Sequence, residues 1–221
     1  MCLRKRDRRI GKFAAAVIAV FFCAAIVPAQ EPAASSTPAA SISVGIVVDN
    51  SGSFRMIFER VVSATHSVID SLRPDDEAFL ATFIDSPKIV LRQEMTREKD
   101  GLKDAADNMF IEAGPTAILD AVVVTARYMA GHAVSDGQRQ RVLVLITDGD
   151  ERESTASLDQ AIKAAKDAKV RIFVLGLYDE SFSNKIVDRL VKETGGAKFV
   201  PKRPKDTAES VNSLISAIRP K

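Results

Sequence analysis

Three oxygen-bearing side chains stand at alternate positions directly after an apolar run near the beginning of the chain. The stretch VGIVVDNSGSF runs from Val44 to Phe54 and contains Asp49, Ser51 and Ser53. A turn at this place would need a glycine or an asparagine, but it would not need the pattern Asp-x-Ser-x-Ser. Residues spaced by two in a tight loop can direct their oxygens at one ion, so the pattern indicates a metal-binding loop.

Two further oxygen donors occupy comparable places later in the chain. Asp148 lies near the end of the run LVLITDGD, and Thr116 lies in the loop EAGPT just before a helical period. In an open α/β sheet, ligands bind beyond the carboxyl ends of the strands. We expect Asp49 and Asp148 at that open end, outside the core, with Thr116 beside them. The charged stretch Asp150–Glu153 is expected to be a solvated loop.

The chemistry of this residue set narrows the choice of metal. Carboxylates and hydroxyls without Cys or His are hard donors, which suit Mg²⁺, Mn²⁺ or Ca²⁺ and do not suit zinc or copper. Taken singly, Asp49 or Ser53 could instead cap a helix, and Asp148 could belong to an ordinary turn. Their joint occurrence with Ser51 and Thr116 favours a common metal site.

Apolar, β-branched runs alternate with helical periods from residue 41 onward. Strands are predicted at Ile42–Val48, Ala78–Phe83, Ile89–Leu91, Arg141–Ile146, Val170–Leu177 and Lys198–Val200. Helices are predicted at Phe54–Leu72, Glu98–Met109, Ala117–Gly131, Ser157–Ala168, Ser183–Glu193 and Thr207–Ile218. This alternation predicts an α/β fold with a doubly wound, Rossmann-like, mostly parallel sheet and helices on both faces. The short link through Asp85, Ser86 and Pro87 predicts one antiparallel strand at an edge.

The candidate ligands carry a family resemblance. Asp-x-Ser-x-Ser after the first strand, a threonine in a Gly-containing loop and Thr-Asp-Gly after a central strand together resemble the von Willebrand factor A domain. The metal-ion-dependent adhesion site of that family uses these positions. The resemblance extends over nearly all of Ser41–Pro220, including the late stretch ETGGAKF that leads into the last strand. It is closest to the bacterial secreted type, since a single domain follows a targeting segment.

The resemblance implies a role for each residue. Ser51, Ser53 and Thr116 would bind Mg²⁺, or Mn²⁺ or Ca²⁺, directly through their hydroxyl groups, whereas Asp49 and Asp148 would act through water or as acceptors. Because hydroxyl ligands are neutral, the ion stays electrophilic, and an Asp or Glu of a protein partner can complete its coordination. The expected function is an exported, metal-dependent adhesion or interaction module, active as a monomeric domain.

The beginning of the chain has the features of a targeting segment. A basic stretch, residues 1–12, precedes the apolar run Phe13–Val27, and small residues follow at the spacing of a signal-peptide cleavage site. The apolar run is shorter than the roughly 20 residues that span a bilayer, although an uncleaved N-terminal anchor stays an alternative. The predicted organisation is a signal peptide at 1–29, a spacer rich in Pro, Ala and Ser at 30–40, and a von Willebrand factor A-like domain at 41–221.

The basic charge of the whole chain comes from this segment. Residues 1–29 hold six of the 31 Lys and Arg and one of the 29 Asp and Glu, which leaves 25 basic and 28 acidic residues and a net charge of −3. The domain is therefore not expected to bind nucleic acid. Both cysteines, Cys2 and Cys23, also lie in the segment, so the remainder has no disulfide or thiol chemistry.

Enzymatic interpretations find little support in the motifs. Asp49 superficially resembles the nucleophile of haloacid-dehalogenase-type phosphatases, but those enzymes use Asp-x-Asp, and Ser51 stands at the second position. The chain has neither Gly-x-Ser-x-Gly nor Gly-x-Gly-x-x-Gly. His66 and His132 are far apart in sequence and are not expected to be functional. We expect no enzyme; the alternative function is a metal-independent structural subunit of a cell-envelope complex.

We expect the exported protein to begin near Gln30, because small residues at Val27 and Ala29 follow the apolar run. The intact mass of protein collected after export checks this, and it should lie below the 23.9 kDa of the whole chain by the mass of residues 1–29. An exported protein that retains residues 1–29 would support the uncleaved anchor instead.

Overall fold

The computed structural model describes residues 40–135 and 139–219, so the predicted signal peptide and nearly all of the spacer lie outside the described residues. The strands are β1 (Ile42–Asp49), β2 (Glu77–Phe83), β3 (Ile89–Thr96), β4 (Gln140–Thr147), β5 (Val170–Gly176) and β6 (Lys198–Phe199). The helices are α1 (Phe58–Asp70), α2 (Lys99–Asp107), α3 (Ile118–His132), α4 (Leu158–Asp167), α5 (Val187–Thr194) and α6 (Thr207–Ile218). Short 3₁₀ helices at Gly52–Ile57 and Pro204–Asp206 precede α1 and α6.

All six described strands belong to one sheet, in the order β3-β2-β1-β4-β5-β6. Every neighbouring pair is parallel except β2 and β3, so the predicted antiparallel edge strand is confirmed. The chain leaves β1 toward one edge of the sheet and returns through β4 to build the other half. The order of the strands therefore reverses between β1 and β4, where α/β sheets form their ligand crevice.

Apolar side chains of the sheet pack against helices on both faces. On one face, Val47, Phe79 and Leu143 belong to a core closed by α3, α4 and α5. On the other, Ile46 and Phe173 belong to a core closed by α1, α2 and α6. The central strands are apolar without alternation because both of their faces are removed from water. This arrangement confirms the predicted doubly wound fold, and no helix within the described residues is long and apolar enough to cross a membrane.

Three element boundaries differ by more than two residues from the sequence prediction. The helix predicted from Phe54 begins as a 3₁₀ helix and becomes α-helical only at Phe58. Strand β3 continues to Thr96, five residues beyond its predicted end at Leu91. Its last residues are polar because β3 is an edge strand, and register shifts in its pairing with β2 interrupt the alternation of apolar residues. Helix α5 begins at Val187 and not at Ser183, since the Ser183 N–H donates outside the helix to the carbonyl of Asp148 at 2.8 Å.

We expect Gly45→Ala to lower the free energy of unfolding by about 3 kcal/mol, because overpacking a filled core forces its neighbours to move. A Cβ at Gly45, in the middle of β1, would overlap the side chains of Phe79 and Leu143. Gly131→Ala in α3 is the control: a Cβ there meets no atom within 4 Å, and we expect a gain of up to about 1 kcal/mol. Urea unfolding of the three proteins measures both effects, and equal stabilities would contradict this account of the core.

Candidate metal centre

Asp49, the last residue of β1, is wholly buried at the open end of the sheet. Its Oδ1 accepts a hydrogen bond from the Ser51 N–H at 3.0 Å, and its Oδ2 accepts one from Thr147 Oγ1 at 3.0 Å. The carboxylate therefore links the ends of the two central strands and bends the chain toward Ser51. Asp49 belongs to neither hydrophobic core, as expected, but Thr147 and the surrounding loops bury it completely.

The hydroxyl groups of Ser51 and Ser53 lie together after this turn, with their Oγ atoms 3.0 Å apart. Ser51 is buried and Ser53 is exposed. Serines before a helix commonly cap its free N–H groups. Here the 3₁₀ helix begins without a side-chain cap, and only the backbone carbonyl of Ser51 accepts from the Phe54 N–H. Helix capping therefore does not account for either hydroxyl.

Asp148 supplies the second carboxylate of the site, directly after β4. It is nearly buried, and its Oδ1 accepts the N–H of Asp150 at 3.0 Å. Burial, and after it the negative charge of Asp148, raises the pKa of Asp49 to about 7. A buried carboxylate beside a second negative charge forms a place where a cation is favourable.

Thr116 lies in a loop that is bonded to both halves of the site. Its carbonyl oxygen accepts the N–H groups of Arg152 at 2.9 Å and Glu153 at 3.2 Å, in the loop after β4. Earlier in the same loop, the Glu112 N–H donates to the carbonyl of Asn50 at 3.0 Å, between Asp49 and Ser51 in sequence. The Thr116 hydroxyl makes no hydrogen bond within residues 40–135 and 139–219. The structure thus brings the loops of all five candidate residues to one end of the sheet.

Sequence reasoning missed the residues that hold these loops in place. Thr147 belongs to the Thr-Asp-Gly motif, but no pattern in the neighbouring sequence indicates its hydrogen bond to Asp49. Glu151 was expected in a solvated loop, yet its side chain accepts the N–H groups of Leu119 at 3.0 Å and Ser154 at 2.8 Å. That expectation is wrong for Glu151, because the free N–H groups of the α3 N-terminus draw a carboxylate to them.

Gly149 allows the loop after β5 to close against the site. Its φ of +79° favours glycine, and a Cβ there would overlap the carbonyl oxygen of Ser183. The Ser183 N–H donates to the carbonyl of Asp148 at 2.8 Å, so residues 178–186 pack on the loop that carries Asp148. The late loop thereby becomes one wall of the candidate site.

The oxygen donors at this end of the sheet limit which metal they could hold. In the described part of the chain, no three Cys, His, Asp or Glu side chains lie close enough together to hold a metal ion. A metal at this place would therefore need hydroxyl ligands, which Ser51, Ser53 and Thr116 offer beside two carboxylates. An all-oxygen set of this kind fits Mg²⁺, Mn²⁺ or Ca²⁺.

A family model for the von Willebrand factor type A (VWA) domain matches residues 43–214. The chain belongs to this family. The match includes all five candidate ligand positions of the VWA domain and extends into α6. Among curated protein sequences, none is significantly similar to the chain.

Three solved structures share this VWA fold. A von Willebrand factor type A protein from Catenulispora acidiphila has a TM-score of 0.69 and 19% identity, over 81% of this chain and 43% of that one. An aerotolerance-related membrane protein from Bacteroides fragilis has a TM-score of 0.60 and 19% identity, over 79% and 98%. Proximal thread matrix protein 1 from the mussel byssus has a TM-score of 0.63 and 16% identity, over 80% and 45%. At these identities the likeness shows the fold alone, and the chain spans less than half of the first and third proteins.

A cleft of about 420 Å³ opens beside the candidate ligands of the VWA domain. Its lining consists of Ser53, Asp148, Asp150, Arg152, Asp179, Glu180, Ser181 and Ser183. Carboxylates predominate in it, and Arg152 is the one basic residue among the described residues that line it. The cleft is therefore polar and acidic, with two of the candidate ligands in its wall.

We expect the metal-free protein to lose stability as the pH rises from 5 to 8. Folding raises the pKa of Asp49 from 3.8 to about 7, so the folded state holds this proton more tightly than the unfolded chain. The stabilisation is complete below about pH 4 and is lost as the pH passes 7, which amounts to about 3 kcal/mol between pH 5 and 8.

Urea unfolding in EDTA across this pH range measures the effect. Asp49→Asn should remove most of the slope, because the amide does not titrate. Asp206→Asn is the control: a hydrogen bond from Arg203 lowers the pKa of Asp206, so it does not titrate in this range. A slope that persists unchanged in Asp49→Asn would assign the titration to another group.

Proposed function

We propose that this VWA domain is an exported protein-binding module that depends on a divalent cation, Mg²⁺ first and Mn²⁺ or Ca²⁺ as alternatives. The observation that carries the proposal is the pair of Ser51 and Ser53 hydroxyl oxygens, 3.0 Å apart beside a buried carboxylate. Helix capping does not account for these hydroxyls. A cation would give both oxygens, and the neighbouring charges, a common partner.

Each of the five residues has a role in this proposal. Ser51, Ser53 and Thr116 would hold the ion through neutral hydroxyl oxygens. Asp49 and Asp148 would supply the negative charge, and Asp49 also fixes the loop by accepting from Ser51 and Thr147. A divalent ion bound by such a set would offer an electrophilic position to a carboxylate oxygen of a protein partner.

The surroundings of the site favour binding over catalysis. The cleft lining offers carboxylates, hydroxyls and a guanidinium group, and its walls are open to solvent. A nucleophilic mechanism would need a serine activated by an adjacent base, but the hydroxyls of Ser51 and Ser53 bond to each other. We therefore propose that the site functions by binding an Asp or Glu side chain of a protein partner.

Export is the second part of the proposal and rests on the sequence. Residues 1–29 combine a basic stretch with an apolar run, and the rest of the chain contains no cysteine. Both features suit a bacterial protein that works outside the cytoplasm, as a secreted or periplasmic protein or one held by an uncleaved segment. The domain would then meet its partner in the cell envelope or beyond.

We expect Mg²⁺ to raise the melting temperature of the wild type, and at 100 times its Kd the gain is about 2.7 kcal/mol. Thr116→Ala and Ser53→Ala should weaken Mg²⁺ binding at least about tenfold and leave the metal-free melting temperature nearly unchanged, because both residues lie outside the cores. Ser67→Ala is the control, since it removes an exposed hydroxyl that bonds only within α1. An equal Mg²⁺ shift in all four proteins would locate the ion elsewhere.

The same proteins test whether the ion serves partner binding. Capture of a partner from an envelope extract should require Mg²⁺, be abolished by EDTA and be weakened by Thr116→Ala but not by Ser67→Ala. Changing the partner's exposed Asp and Glu residues to Asn and Gln one at a time should then identify one essential carboxylate. Capture that persists undiminished in EDTA would favour the metal-independent structural subunit instead.

A further inference from the structure

Arg152 occupies a distinctive place beside the candidate metal centre. Its backbone N–H donates to the carbonyl of Thr116 at 2.9 Å, which fixes the residue to the loop of one candidate ligand. Its side chain lines the cleft together with Ser53 and Asp148, two other candidate ligands. The backbone of Arg152 is therefore fixed, while its guanidinium group lies at the mouth of the cleft. The side chain is 66% exposed.

The hydrogen bonds of the guanidinium group hold it in place and leave donors unused. Nε donates to Oδ2 of Asp150 at 2.7 Å, and Nη2 forms an ion pair with the same oxygen at 2.5 Å. Nη1 has no hydrogen-bond partner among the described residues. Asp150 raises the pKa of Arg152, and the charge of Asp148 acts in the same direction, so the group stays fully charged. A positively charged group that is held in one orientation and has free N–H donors is suited to bind an anion.

The negative charge of the cleft walls makes a positive side chain favourable for binding a carboxylate ligand. Asp150, Asp179 and Glu180 line the same cleft. The last two have no ion-pair partner within the described residues, and both are exposed. Without Arg152, an incoming carboxylate would meet four carboxylates and three serine hydroxyls in these walls, and no positive side chain. With Arg152, one part of the wall attracts it.

We propose that Arg152 determines the specificity of the cleft for a carboxylate, by donating from its guanidinium group to one oxygen of the partner's Asp or Glu. The inference rests on the proposed function, in which the other oxygen of that carboxylate meets the divalent ion. A hydrogen bond from a guanidinium to a carboxylate oxygen is charge-assisted, and such bonds are stronger than those to a neutral amide or hydroxyl. Arg152 thereby discriminates against neutral oxygen ligands.

This role has two opposite consequences for binding. A positive charge at the mouth of the site opposes the entry of a divalent cation, although exposure to solvent screens the effect. The same charge favours an anion that binds next to that cation. Removing the charge should therefore strengthen metal binding and weaken carboxylate binding, a combination that general damage to the loop would not produce.

The experiment uses Mn²⁺ as the metal and sodium acetate as the carboxylate probe, both followed through the relaxation of water protons by bound Mn²⁺. We expect Arg152→Gln to bind Mn²⁺ about 2–5-fold more tightly and the Mn²⁺-loaded protein to bind acetate about tenfold more weakly. Arg152→Lys, which keeps the charge but loses the planar fork, should retain wild-type Mn²⁺ affinity and bind acetate with intermediate affinity. Arg189→Gln is the matched control, because Arg189 is also exposed and paired with an aspartate, Asp159, at 2.5 Å.

A metal-free measurement provides an independent readout. In EDTA, Arg152→Gln should melt at a lower temperature than Arg189→Gln, because Asp148 and Asp150 lose a neighbouring positive charge. Mn²⁺ binding with unchanged acetate affinity in Arg152→Gln would overturn the role of Arg152 and leave the proposed function intact. A wild-type protein that binds no Mn²⁺ would overturn the proposed function and this inference together.

Discussion

The buried carboxylate of Asp49 is the interaction on which the rest of the site depends. It joins the ends of the two central strands through Thr147 and turns the chain through the Ser51 N–H. Burial next to Asp148 makes its negative charge unfavourable, as its pKa of about 7 indicates. A fold that places an acid in such surroundings gains from a cation nearby, because the cation offsets the desolvation of the charge. The preference for a cation is thus built into the junction of β1 and β4.

The loops around this junction are fixed to one another by backbone hydrogen bonds. The Thr116 carbonyl binds the loop after β4, and the Ser183 N–H binds the carbonyl of Asp148. Glu151 fastens the same loop to the N-terminus of α3. Since these bonds use main-chain groups or side chains outside the ligand set, the hydroxyls of the candidate ligands are not used to hold the loops together. In the acidic cleft next to them, Arg152 provides the balancing positive charge.

Much of the fold could be predicted from the sequence because its signals are local. Uninterrupted apolar residues from Val142 to Ile146 indicate a strand covered on both faces, and the i, i+3, i+4 period after Phe54 indicates a helix that packs on the sheet. Strand–helix alternation then determines a doubly wound sheet, and its open end is where the residues after β1 and β4 must lie. The grouping of Asp49 with Asp148 follows from that geometry alone.

The sequence by itself determined the element order, the parallel sheet with its antiparallel edge, and which oxygen-bearing residues come to the open end. Only the tertiary structure decided that Asp49 is buried, that Glu151 caps α3 and that α5 begins at Val187. The reason is physical: these outcomes depend on partners distant in the chain, 98 residues away for Thr147 and Asp49 and 32 for Glu151 and Leu119. The local sequence pattern indicates on which face of an element a residue lies. The hydrogen-bond partner of a buried polar group depends instead on the groups that the completed fold brings close to it.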